Sequence, residues 1–240
     1  MPDFSTESLL YPLTKGEFHG NQYVEVPNEG ETPTPRPPVG QFQLTPDEMR
    51  SLARELSEAV GQNAAQDLCA VKISKMLGLD KPATEVTEPL NRPPDLLRGC
   101  DPQGAETLLR PLEHYGNGGG SAYGNGIYTA HSRPVAEQYV EGAMVQMWLN
   151  PGAKIAEGDM AEPFEQYERI MRAFSEERRS GHGGMSVDDA VALGRFMEQP
   201  ANFALACGYQ GWKGAHTVIF DRSALTIRIE KRQRNKDFSY

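Results

Sequence analysis

The sequence predicts an α+β chain, and three observations carry that prediction. Two amphipathic helical stretches lie towards the N-terminus, and a third helical region covers about residues 161–200. Short extended pieces cluster between residues 95 and 149 and again from 215 to 231. Helices and strands therefore segregate instead of alternating, which disfavours a doubly wound sheet. With 240 residues the chain is long enough for one sizeable domain with extensions. Its 38% hydrophobic and 24% charged residues are those of a soluble protein. A net charge of −9 gives no global attraction to nucleic acid or an anionic membrane.

Residues 1–44 read as an extended N-terminal segment ending in a proline-rich linker. The run VPNEGETPTPRPPVG (26–40) holds five prolines, which remove backbone donors and hold the chain extended. Ahead of it, KGEFHGNQYVEV (15–26) is either a short docking strand or a recognition peptide. The N-terminus carries acids before its short apolar run, unlike a signal peptide. No apolar run approaches the ~20 residues that span a bilayer.

The folded domain is expected over residues 45–232, with a polar tail at 233–240 that frays. Thr45-Pro46-Asp47-Glu48 is a helix start: a cap, a first-turn proline and the acid of a capping box. Met49, Leu52, Leu56 and Val60 follow at helical spacing. A second helix is expected over Ala64–Leu77, with Leu68, Val71, Ile73, Met76 and Leu77 as its apolar residues and Gly78 as its stop. Asp95–Cys100 and GIYTA (126–130) are short strands, followed by a helix at about Pro134–Glu141 and the strand MVQMWL (144–149). Phe164, Tyr167, Ile170, Met171 and Phe174 recur at three and four, and Ser186 caps a further helix. The charges interleaved in EPFEQYERIMRAFSEERR are read as a solvated helix face, with target recognition as the other possibility. AHTVIFD (215–221) and ALTIRIEK (224–231) are two closely connected strands. Cys69, Cys100 and Cys207 lie far apart with no CxxC pair, so neither a zinc site nor a disulfide scaffold is expected.

The stretch YGNGGGSAYGNGIYTA (115–130) holds six glycines before an apolar run. It is either slack chain or backbone shaped to lie against a ligand. It lacks the GK[ST] ending of a phosphate-cradling loop, and it precedes a strand rather than opening a helix as a dinucleotide fingerprint does.

Read together, LLRGC, the glycine-rich approach, YGNGIYTA, SRPVAEQY, MVQMWLNPGAKI, GYQGW and HTVIFDRSALTI occur in an order that resembles the ADP-ribosyltransferase superfamily, over about residues 80–230. The chain looks most like such domains carried by bacteriophages and by bacterial toxins, and KGEFHGNQYV is similar to short pieces of phage structural proteins. The resemblance implies a split antiparallel β-sheet with N-terminal helices and a helical insertion at 161–200, gripping NAD in a central cleft. It implies that NAD is the substrate, that no metal takes part, and that one ADP-ribose unit goes to an acceptor, here a host bacterial protein with nucleic acid as the alternative. It further implies a place in the host cytoplasm or the virion, with residues 1–44 meeting phage structural proteins and no membrane partner.

Site residues follow from the same resemblance. Arg98 and Gly99 match the Arg-Gly pair of the first strand: a guanidinium fork for phosphate or ribose oxygens, and a backbone that nicotinamide approaches with no side chain between. GNGIYTAHSRPVAEQY resembles the polymerase branch, where Gly126 opens the strand and Tyr128 stacks on nicotinamide. Tyr139 falls where that branch has a second aromatic; its other reading is the apolar face of a short helix, as Tyr128's is a core position. His216 stands where the family places a catalytic glutamate, and of the acid or glutamine pair found in the arginine-type toxins only Gln210 is present nearby. Glu137 and Asp221 are the alternative acids. Two functions follow: a mono-ADP-ribosyltransferase with NAD hydrolysis as a side reaction, or a catalytically weak module with a structural or binding role.

Overall fold

The computed structural model describes residues 17–19, 22–24, 36–59, 61–115, 122–158 and 160–231. The expected linker, the approach at 116–121 and the polar tail lie wholly or largely outside them. The chain divides into two compact units, Met1–Arg36 and Pro37–Tyr240. In the first, β1 (Glu17–His19) and β2 (Gln22–Val24) pair antiparallel with each other.

The second unit is α+β. Helix α1 (Pro46–Glu58) starts on the expected capping box: Glu48 N–H donates to Thr45 Oγ1 at 3.3 Å, and Thr45 N–H to Glu48 Oε2 at 2.9 Å. Helix α2 (Gln62–Met76) ends before Gly78, whose φ of +69° is the left-handed conformation that glycine adopts most readily. Val71 and Ile73 are buried as the spacing predicts, but Leu68 is 57% exposed. Ala65, Cys69 and Ala70 turn inward in its place, because small side chains let α2 pack closely on its neighbours. There follow β3 (Thr84–Glu85), β4 (Leu96–Cys100), α3 (Pro102–Thr107), β5 (Ile127–Thr129), α4 (Arg133–Glu137), β6 (Ala143–Leu149) and β7 (Ile155–Glu157). The chain closes with α5 (Ala161–Arg179), α6 (Val187–Met197), α7 (Pro200–Ala206), β8 (Gly211–Lys213), β9 (Thr217–Ile219) and β10 (Leu225–Lys231).

These strands form two four-stranded sheets, β3-β10-β6-β4 and β5-β9-β8-β7. The expectation of purely antiparallel pairing needs correcting. Each sheet is mixed, because β3 runs parallel to β10 and β7 parallel to β8. The second case has a direct cause: parallel neighbours need a long crossover, and α5, α6 and α7 are that crossover between β7 and β8. The two last strands are close in sequence yet part company. A 3₁₀ turn at Arg222–Ala224 carries the chain from β9 in one sheet to β10 in the other.

Alternation along the strands sorts their side chains between two cores. Leu96, Val145, Met147 and Ile227 meet Ile127 and Ile219 between the sheets. On the other face of the second sheet, Val218 and Phe220 pack with helices α1, α2, α5, α6 and α7. Phe42 and Leu44, just ahead of α1, belong to this helical core and are 1% and 4% exposed. Among the described residues no helix is long and apolar enough to cross a membrane.

Candidate functional site

The two sheets meet where the edge strands β4 and β5 touch. Leu97 and Ala130 exchange both backbone hydrogen bonds, each 2.8 Å, in an isolated antiparallel bridge. Backbone groups along a strand point alternately to either side, so Gly99, two residues beyond Leu97, and Tyr128, two before Ala130, aim theirs into the same gap. The antiparallel register sets these two residues opposite one another. They do not close the ladder; the Tyr128 carbonyl accepts from Arg98 Nη1 at 2.8 Å instead. The junction is thus a notch between two strand edges, with one guanidinium at its mouth.

Gly99 is required there by packing. A β-carbon on it would stand 2.1 Å from the Ala136 carbonyl oxygen and 2.8 Å from the Val140 nitrogen, because α4 and the turn after it lie directly on the strand. The same contact fixes the sides of β4: α4 covers one face, and Arg98, next in the alternation, projects from the other. Burial raises the pKa of the neighbouring Cys100 thiol, an effect that the Arg98 guanidinium opposes.

Tyr128 sits on the helical face of its sheet, with Val218 as its cross-strand partner. Its hydroxyl donates to the Gly124 carbonyl at 2.8 Å and accepts the Tyr123 N–H at 3.1 Å. Burial pushes its pKa up, so the phenol keeps the proton that it gives to Gly124. The Tyr123 ring lies 5.3 Å from Trp212 and 6.0 Å from His216, centroid to centroid. His216 is exposed, one residue before β9. The β5–β9 register continues to it, placing it opposite Ala130 at the end of the bridge to Leu97.

The fold therefore brings the Arg98 guanidinium to the Tyr128 backbone carbonyl, while the Tyr128 side chain and, through Tyr123, His216 lie with Gly99 on the opposite face of the strands, the one that α4 covers. Gly126 packs against β9, where a β-carbon would meet Val218 Cγ1 at 2.3 Å. Tyr139 reaches Gly99 only by its backbone; its ring is 64% exposed, and it follows α4 on the side of β4 away from Arg98. The three acid-or-amide candidates are placed elsewhere or engaged. Asp221 is buried as the cap of the 3₁₀ turn, accepting from Ser223 N–H, Ser223 Oγ and Gln210 Nε2. Gln210 Oε1 accepts the Lys154 N–H at 3.0 Å. Glu137 is on α4, 3.7 Å from Arg133 Nη1, across β4 from Arg98.

Sequence reasoning missed the residues that hold the notch in shape. Asn202, wholly buried in α7, accepts the Asn125 N–H at 2.7 Å and donates to Phe196 O and Gln199 Oε1. Its neighbour Ala201 donates its N–H to the Tyr123 carbonyl at 2.7 Å. Asp67 Oδ1 accepts both the Tyr115 N–H, before the glycine-rich stretch, and Asn125 Nδ2, after it. His131 Nε2 lies 3.0 Å from Thr217 Oγ1. A lone asparagine inside the apolar run PANFALA was the available signal for Asn202. Asn202→Ala is expected to destabilise the protein by about 1–3 kcal/mol, because the Asn125 N–H loses its buried acceptor. Urea unfolding checks this, and a change below about 0.5 kcal/mol would show that water replaces the amide.

What fold and site define is an α+β domain of two mixed sheets with an arginine-lined notch at their junction. Comparison with protein-family models, with curated proteins and with solved structures found no match.

Proposed function

We propose that this chain is an NAD-dependent mono-ADP-ribosyltransferase built on a split-sheet fold of the ADP-ribosyltransferase kind. The observation that supports the reading is the notch: two facing strand edges, a glycine whose N–H and C=O point into the gap, and Arg98 beside them. A carboxamide has the donor and acceptor that such an edge lacks, and phosphate or ribose oxygens suit the guanidinium. In this reading Gly99 holds the carboxamide and Arg98 the phosphate or ribose. Tyr128 forms an aromatic wall whose tilt is set by its two hydroxyl hydrogen bonds. The bond from nicotinamide nitrogen to ribose C1′ breaks with its electron pair leaving on nicotinamide. The acceptor's nucleophile, or water, then bonds to C1′ and releases a proton. His216 occupies the position beside the ribose. A host bacterial protein as acceptor, and a phage or toxin setting, belong to the same proposal.

A second reading, a binding module with little or no catalysis, is favoured by one observation. Asp221 is buried in its own cap and Glu137 is paired with Arg133, so both carboxylates are engaged within the fold. Incubation of the protein with NAD and measurement of free nicotinamide separates the two. Binding without release supports the module; neither binding nor release removes the NAD reading altogether. Arg98→Ala is expected to weaken NAD binding roughly 10- to 100-fold, the worth of a charge-assisted hydrogen bond of about 1.5–3 kcal/mol. Unchanged affinity in a titration would show that NAD does not bind at the notch.

A further inference from the structure

We infer that the outer face of α5 (Ala161–Arg179) is a self-complementary dimer surface, whose partner is a second copy of this chain packed antiparallel about a two-fold axis. This inference is independent of the proposed reaction. Glu168, Arg172, Ser175 and Arg179 follow one another at three- and four-residue steps and so form one stripe along the helix. Glu176 lies at its edge. Glu168 and Arg172 pair within the helix at 3.2 Å, while the side chains of Glu176 and Arg179 make no ion pair among the described residues.

An isologous contact requires that residue i meet residue j while j meets i. With the axis passing between two antiparallel α5 helices at the level of residues 173 and 174, Glu168 of each copy lies opposite Arg179 of the other. The same axis sets Arg172 opposite Glu176. One axis therefore satisfies all four charges twice over. A parallel pair would set each of them against its own kind, so charge fixes both direction and register. Ser175 lies next to the axis, and its small side chain permits the backbone approach of about 8–10 Å seen between packed helices.

Apolar surface accompanies the charges. Of the eight large hydrophobic residues exposed among the described residues, three (Phe164, Val187 and Val191) line the shallow grooves on either side of α5, which share Met171 and Ser175. Surface ion pairs alone contribute about 0–1 kcal/mol each, so these side chains supply the affinity and the charges select the arrangement.

Sedimentation velocity of the full chain tests the proposal. A species of twice 26.5 kDa is expected. Arg172→Glu combined with Arg179→Glu is expected to weaken association at least about tenfold. Adding Glu168→Arg and Glu176→Arg restores the opposite charges and is expected to restore the dimer. A wild-type protein that stays a single chain at roughly 100 µM overturns the inference. So does a dimer that the double reversal leaves intact, or one that the fourfold exchange fails to rescue. Circular dichroism and melting verify folding at each step. If the double reversal does not fold, Ser175→Arg, which blocks close approach beside the axis, is read instead: loss of the dimer supports the surface and its retention overturns it.

Discussion

His216→Glu is expected to raise the rate of nicotinamide release from NAD by two to three orders of magnitude. The expectation rests on charge at one position. As nicotinamide leaves, the ribose carbon becomes electron-poor, and a carboxylate beside it lowers the barrier. Removing one preorganised electrostatic partner of this kind costs about 3 kcal/mol, and supplying it gains a similar amount. An imidazole carries no negative charge in either protonation state. The position tolerates the change, because His216 is exposed and precedes β9, so glutamate buries no charge there. The rate is measured with NAD alone and then with bacterial lysate, so that both hydrolysis and transfer are counted. If His216→Glu leaves the rate unchanged while Glu137→Gln abolishes it, the acid comes from α4, and the assignment of the ribose side to β9 is wrong.

Arg222→Leu is expected to destabilise the fold by about 3 kcal/mol and to lower the melting temperature by roughly 6–12 °C. Arg222 is 3% exposed and, among the described residues, pairs with no carboxylate. Its Nη1 donates to the carbonyls of Thr107 and Arg110 at 2.7 and 3.0 Å, and Nη2 to that of His114 at 2.9 Å. Burial depresses its pKa, an effect that Arg98 adds to and that Tyr115 and Glu113 oppose. The charge is held chiefly by carbonyl dipoles. Leucine fills much of the volume but leaves the Arg110 and His114 carbonyls without a donor in the segment that leads into the glycine-rich stretch, while the Thr107 carbonyl keeps the Arg110 N–H. A melting temperature within 2 °C of wild type would show that solvent reaches those carbonyls once the guanidinium is gone. Because this arginine lies outside the notch, its loss is expected to act on stability before it acts on NAD.

Much of the fold was legible in local chemistry. The capping box at Thr45 and Glu48, the glycine stop at Gly78, the cap at Ser186 and the strands around Arg98, Tyr128 and Met147 depend on neighbours in sequence, and they stand where the spacing puts them. The strands β3, β7 and β8 were not legible. They are two or three residues long, too short for alternation to register, and they exist because neighbouring strands brought up by the fold supply their hydrogen bonds. Helix α7 was missed for a related reason. It is buried all round, so its apolar run has no polar face to mark a helical period.

Sequence alone determined the α+β class, the main helices and strands, and the residue types at the notch: an arginine, a glycine and a tyrosine on successive strands. Tertiary structure alone decided which of them meet. That Gly99 faces Tyr128 follows from a single bridge between Leu97 and Ala130, a pairing across more than thirty residues that no local pattern encodes. That Tyr139 turns away, and that Asp221 is spent on a cap, follows from which face of a strand or turn each residue occupies. Side-chain chemistry is written one residue at a time, whereas register and facing are set by how the two sheets bury their apolar sides against each other.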